Sequence, residues 1–105
     1  MEYITVFCTV PDRDCAEKIA SAVVENRTAA CVSIIPGLAS VYRWKGDICR
    51  SDELLLVMKT RSGLFRSLES HIRALHPYEV PEIVAMPIVD GHAPYLAWIG
   101  ESTLP

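Results

Sequence analysis

A chain of 105 residues, half of them hydrophobic, is one domain's length and can bury roughly 60 to 70% of the surface its unfolded form exposes. Its formal charge of −3, from 13 acids against 10 Lys and Arg with no basic run, excludes a sequence-independent grip on nucleic acid. No apolar stretch approaches the roughly 20 residues of a membrane span, and the start, M-E-Y-I-T-V-F-C-T-V-P-D, has no basic n-region, so the sequence reads as a single cytoplasmic domain over residues 1–105.

Residues 3–10, Y-I-T-V-F-C-T-V, are β-branched and aromatic, contain no strong helix former and stop at Pro11-Asp12, which predicts strand one. Residues 14–26 place Ile19, Ala20, Val23 and Val24 on one helical stripe, behind Asp14 and Glu17 at capping-box spacing; this is helix one. From Ala29 the period returns to two through C-V-S-I-I, passes Pro36-Gly37, resumes as S-V-Y-R-W, turns at Lys45-Gly46-Asp47 and comes back through I-C-R-S-D-E-L-L-L-V-M-K-T. That is a long hairpin, each arm roughly 15 residues or about 50 Å, whereas a compact chain of this length has a radius of gyration near ~13 Å. Its tip must overhang the domain. An exposed ribbon carrying Val41, Tyr42, Trp44 and Ile48 is a pairing hazard unless another chain covers it, so an obligate oligomer is expected. Pro36-Gly37 reads as a kink or bulge that redirects the arm toward a neighbour.

Residues 62–75 are helix two, with Phe65, Leu68, Ile72 and Leu75 at helical spacing and Pro77 as the stop. Ile83 to Val89 is strand four, and Pro87 within it points to an edge position or a bulge. Pro94 serves as the first residue of a short C-terminal helix through Tyr95, Leu96, Trp98 and Ile99. The order βαββαβ plus a final helix is that of the ferredoxin-like plait, an α+β fold with helices on one face of an antiparallel sheet.

In that plait strands one and four are antiparallel neighbours, so the stiff corner H-P-Y-E-V-P-E, residues 76–82, faces Cys8. A thiol and an imidazole beside Glu79 and Glu82 have the chemistry of a metal site or of a nucleophile with its base. The plainer readings are that Cys8 is a small buried hydrophobe, His76 a partner for the helix dipole, Glu79 a solvated carboxylate and Tyr78 an aromatic anchor of the corner. A closed zinc site needs four ligands, and the cluster offers two soft or borderline ones. Tyr42, Trp44, Lys59 and Tyr95, joined by Tyr78 and Glu79 of the corner, could line an intersubunit pocket, or Tyr42 and Trp44 could simply supply interface area. Cys8, Cys15, Cys31 and Cys49 lack a C-x-x-C pair and read as free thiols of a reducing compartment. The fold alone does not choose a function, but L-L-L-V-M-K-T has no aromatic for base stacking and T-V-P-D-R-D no glycine for a phosphate cradle.

Along nearly its whole length the chain resembles the CutA family of divalent-cation tolerance proteins. The matching blocks are F-C-T-V-P-D, A-A-C-V-S-I-I-P-G, S-V-Y-R-W-K-G-D-I, K-T at 59–60, H-P-Y-E-V-P-E-I and Y-L-A-W-I. The resemblance implies a homotrimer of ferredoxin-like subunits whose hairpins pair across subunits, a cytoplasmic location, and copper or another divalent metal bound through Cys8 and His76. Some relatives carry two histidines before the proline; here Leu75 stands in the first place. The reading that follows is a non-enzymatic, copper-binding homotrimer. The alternative is a trimeric signalling or scaffold module, like the PII-type transducers, that takes a small ligand or partner in its intersubunit cleft. A cysteine hydrolase using Cys8 and His76 lacks an orienting acid and an oxyanion motif.

Overall fold

The computed structural model describes residues 2–105. Strand β1 (Tyr3–Val10) alternates strictly, burying Ile4, Val6, Cys8 and Val10 on one side. Helix α1 (Arg13–Glu25) is capped by Asp12, whose carboxylate accepts from the Cys15 amide at 2.8 Å, and not by Asp14 as its spacing with Glu17 suggested. The extended backbone at Asp12 is what aims its side chain at the first turn. Ala16, Ile19 and Val23 form the buried stripe, while Val24 turns out to solvent.

Strands β2 (Cys31–Trp44) and β3 (Asp47–Arg61) form the hairpin. Lys45 and Gly46 at its tip both have positive φ, the geometry whose twist matches that of the two arms. Between Ile35 and Leu38 the pairing shifts, with two residues, Pro36 and Gly37, set against the single Leu54, and Gly37 at φ 82° makes the expected bulge. The molecule measures 44 × 25 × 23 Å, consistent with an overhanging hairpin.

A 3-10 turn at Ser62–Leu64 leads into α2 (Phe65–Leu75), which buries Leu68 and Ile72 and ends at His76, held extended before Pro77. Strand β4 (Ile83–Pro87) is shorter than the expected run to Val89, because its partner β1 begins at Tyr3 and Pro87 has no N–H to offer. Helix α3 (Ala93–Ser102) begins one residue before Pro94.

The sheet order is β2-β3-β1-β4, fully antiparallel, with Pro87 on the edge strand as its chemistry requires. The main core lies between the sheet and α1 and α2, where Val6, Cys8, Leu56 and Met58 meet Ile19, Val23, Leu68 and Ile72. Helix α3, however, packs on the opposite face. Cys31 and Arg61 point there, and Arg61 donates to the Gly100 carbonyl at 2.8 Å and to Thr103 Oγ1 at 3.2 Å, satisfying the end of the helix. Gly100 permits this approach, since a Cβ there would sit 2.9 Å from the Tyr3 hydroxyl.

Beyond α3 that second face is only partly covered. Cross-strand neighbours Val84, Phe7 and Val57 run across it, beside Met86 and the pair Leu55 and Ile35. Val84, Met86 and Ile35 are all exposed large apolar residues, 42 to 47% accessible.

Candidate functional site

The corner between α2 and β4 is tied down by its histidine. His76 Nε2 lies 2.8 Å from the Thr9 carbonyl at the end of β1, and its Nδ1 accepts the Tyr78 amide proton at 3.2 Å. A carbonyl can only accept, so Nε2 carries the proton and both ring nitrogens are spent. The Tyr78 ring sits 4.8 Å from the imidazole, centroid to centroid. His76 is therefore a brace between the corner and β1 rather than a partner of the helix dipole.

Cys8 reaches the same carbonyl, its Sγ 3.7 Å from Thr9 O. The thiol and the imidazole thus share one acceptor, the Thr9 carbonyl. Yet Cys8 is fully buried, and burial first, then the charges around it, push the thiol up to about 12. A protonated thiol and an imidazole without a free nitrogen are not open donors. Among the described residues no group of three or more His, Cys, Asp and Glu side chains is placed to hold a metal ion. Nor does a carboxylate orient His76, since the Nδ1 position is filled by a backbone donor. As they stand, these residues fit neither a metal centre nor a nucleophile with its base.

On its outer side the corner opens into a cleft. Strand β1 ends at Val10, paired with Leu54, but the hairpin runs on, and residues 77–82 fold against its outer half. Between them lies a cavity of about 740 Å³, lined by Tyr42, Trp44, Glu53, Tyr78, Glu79 and Val80 among others. Tyr78 donates to Glu53 Oε2 at 2.7 Å, and burial together with that carboxylate raises the phenol's pKa. Tyr42 shares a 2.8 Å hydrogen bond with Ser51, and Lys45 at the tip reaches Glu79 at 3.6 Å across the mouth. Four of the six residues expected to line a pocket are thus together within one chain. Lys59 and Tyr95 are elsewhere: Lys59 is paired with Thr5 and Cys31 on the second face of the sheet, and the Tyr95 hydroxyl lies 3.6 Å from Cys31 Sγ under α3.

Two features escaped sequence reasoning. Glu53 stands in the polar run R-S-D-E, where no local pattern marks it out, but the corner covers it to 6% exposure. The apolar sheet face had a signal, since the unbroken run L-L-L-V-M marks a strand covered on both sides.

The chain's similarity to known proteins is extensive. The family model described as CutA1 divalent ion tolerance protein matches residues 4–102. A divalent-cation tolerance protein CutA of Thermus thermophilus is 52% identical over 98 residues, covering 93% of this chain and 95% of that protein. A chloroplastic protein CutA of Arabidopsis thaliana is 45% identical over 100 residues, and the chain spans only 55% of its length. The solved structure of a Thermus thermophilus divalent cation tolerance protein superposes with a TM-score of 0.94 at 50% identity, over 96% of this chain and 98% of that one.

Proposed function

Because the chain belongs to the CutA1 divalent ion tolerance family, we propose that it serves divalent-cation tolerance as a non-enzymatic homotrimer, acting by binding and assembly rather than by turnover. The observation that carries this reading is the apolar sheet face on which Val84, Met86 and Ile35 are exposed and Phe7, Val57 and Leu55 half-buried, and which further copies would cover. The overhanging hairpin, with Ile48 65% exposed, supports the same conclusion. A cytoplasmic location accords with four free cysteines.

Copper at Cys8 and His76 would have to displace the thiol proton and take His76 from Thr9. Raising a thiol from 9.0 to about 12 weakens metal capture near neutral pH by about a thousandfold, so such binding is expected to be weak and to strengthen as pH rises.

The test is complementation. A strain lacking this protein should lose tolerance to excess copper, and the wild-type chain and Cys8→Ala should both restore it, whereas Val84→Asp, aimed at assembly, should not. Failure of a correctly assembled Cys8→Ala to restore tolerance would return the function to the corner thiol.

The second reading, a PII-like signalling or scaffold module, is favoured by the cleft between hairpin and corner. Its volume of about 740 Å³ falls within the roughly 300–1,000 Å³ typical of small-molecule sites.

A further inference from the structure

Glu53 is the anomaly of the cleft. The residue is 6% exposed, yet no Lys, Arg or His nitrogen among the described residues forms an ion pair with its carboxylate; the three ion pairs present are Arg13–Glu17, Lys45–Glu79 and Arg66–Glu69. Only one of its oxygens is engaged, by the Tyr78 hydroxyl at 2.7 Å; the other has no hydrogen-bond partner among the described residues and remains open to solvent. A carboxylate taken this far out of water is ordinarily paired with a cation. Here the charge lines a cavity instead.

The walls of that cavity say what kind of cation would fit. Tyr42, Trp44 and Tyr78 present aromatic surface, Val80 and Pro81 aliphatic surface, and Glu79 and Glu82 add further negative charge. The chain shows the preference with a group of its own. The Lys45 ammonium lies 5.5 Å from the centroid of the Trp44 ring and 3.6 Å from Glu79 Oε2, so an alkylammonium already rests on one aromatic ring and one carboxylate at the rim. A bare metal ion suits the cavity poorly, because among the described residues no three ligating side chains converge in it.

We infer that the cleft binds a small organic cation, an alkylammonium whose charged head reaches Glu53 and whose carbon chain lies against Trp44, Tyr42 and Val80. Tyr78 acts as the positioning residue, holding one carboxylate oxygen so that the other faces the ligand. Lys45 is the internal competitor at the rim, and a ligand with a second ammonium would take its place on Glu79. This rests on the binding-module reading and gives it a ligand class.

The experiment is calorimetric titration of the intact protein with spermidine, paralleled by the fluorescence of Trp44 in a Trp98→Phe background, since these are the only two tryptophans. Saturable binding of one spermidine per chain is expected, weakened tenfold or more by Glu53→Gln. That variant keeps an acceptor for Tyr78 and should fold; matched circular dichroism and sedimentation check it. Lys45→Gln should bind severalfold more tightly, and Cys8→Ala as the wild type does. Equal affinity in Glu53→Gln, or no saturable binding, would overturn the proposal. A Trp44 response to citrate but not to spermidine would overturn the cation while sparing the module reading. Silence toward amines, carboxylates and nucleotides alike would remove both.

Discussion

Thr9 offers one carbonyl to two side chains, His76 Nε2 at 2.8 Å and Cys8 Sγ at 3.7 Å, and this explains both residues without a metal. The thiol's pKa, lifted from 9.0 to about 12 chiefly by burial, has a consequence for stability. Above pH 9 the unfolded chain releases that proton while the folded chain keeps it, so stability is full below pH 9 and falls as pH rises toward 12. The loss is about 1.4 kcal/mol per pH unit for one group at most. Guanidinium unfolding at pH 8, 9.5 and 11 should show a decline with pH that is shallower in Cys8→Ala; parallel slopes would mean that the thiol titrates normally. At Tyr78, loss of the hydroxyl leaves the Glu53 carboxylate buried without its donor, and Tyr78→Phe should cost about 1–3 kcal/mol by denaturant midpoint. An unchanged midpoint would show that water already reaches that oxygen.

At the scale of elements, the hairpin depends on two glycines that the chain cannot easily replace. Gly37 (φ 82°) makes the bulge and Gly46 (φ 87°) the tip, and both have open space where a Cβ would go. The penalty for substitution is then one of backbone conformation alone, and Gly46→Ala should cost about 1 kcal/mol. A stabilised Gly46→Ala would contradict the turn geometry. These features were legible in the sequence, because Pro36-Gly37 and Lys45-Gly46 punctuate period-two runs and act through local sterics. So were the stop at Pro77 and the edge position of Pro87. The side on which α3 packs was not, because it is decided by Arg61 reaching Gly100 across 39 residues of sequence, a contact that no local pattern announces. The candidate site divides the same way. The corner's rigidity could be read from two prolines, but the burial of Glu53 exists only once the corner has folded over the hairpin.

For the molecule as a whole, the chain buries one face of its sheet and leaves the other only partly covered. Each of Val84, Met86 and Ile35, being already about half covered, stands to gain about 1 kcal/mol on full burial. That would be the driving force for the proposed assembly, and the account depends on it. Sedimentation equilibrium across a wide dilution series tests it most directly. The wild-type chain should sediment at three times its 11.7 kDa mass down to low concentration, and Val84→Asp, which puts a charge into the apolar face, should sediment at a lower mass. A wild-type species of 11.7 kDa at every concentration would contradict the account, leaving the apolar face uncovered and the homotrimer without support.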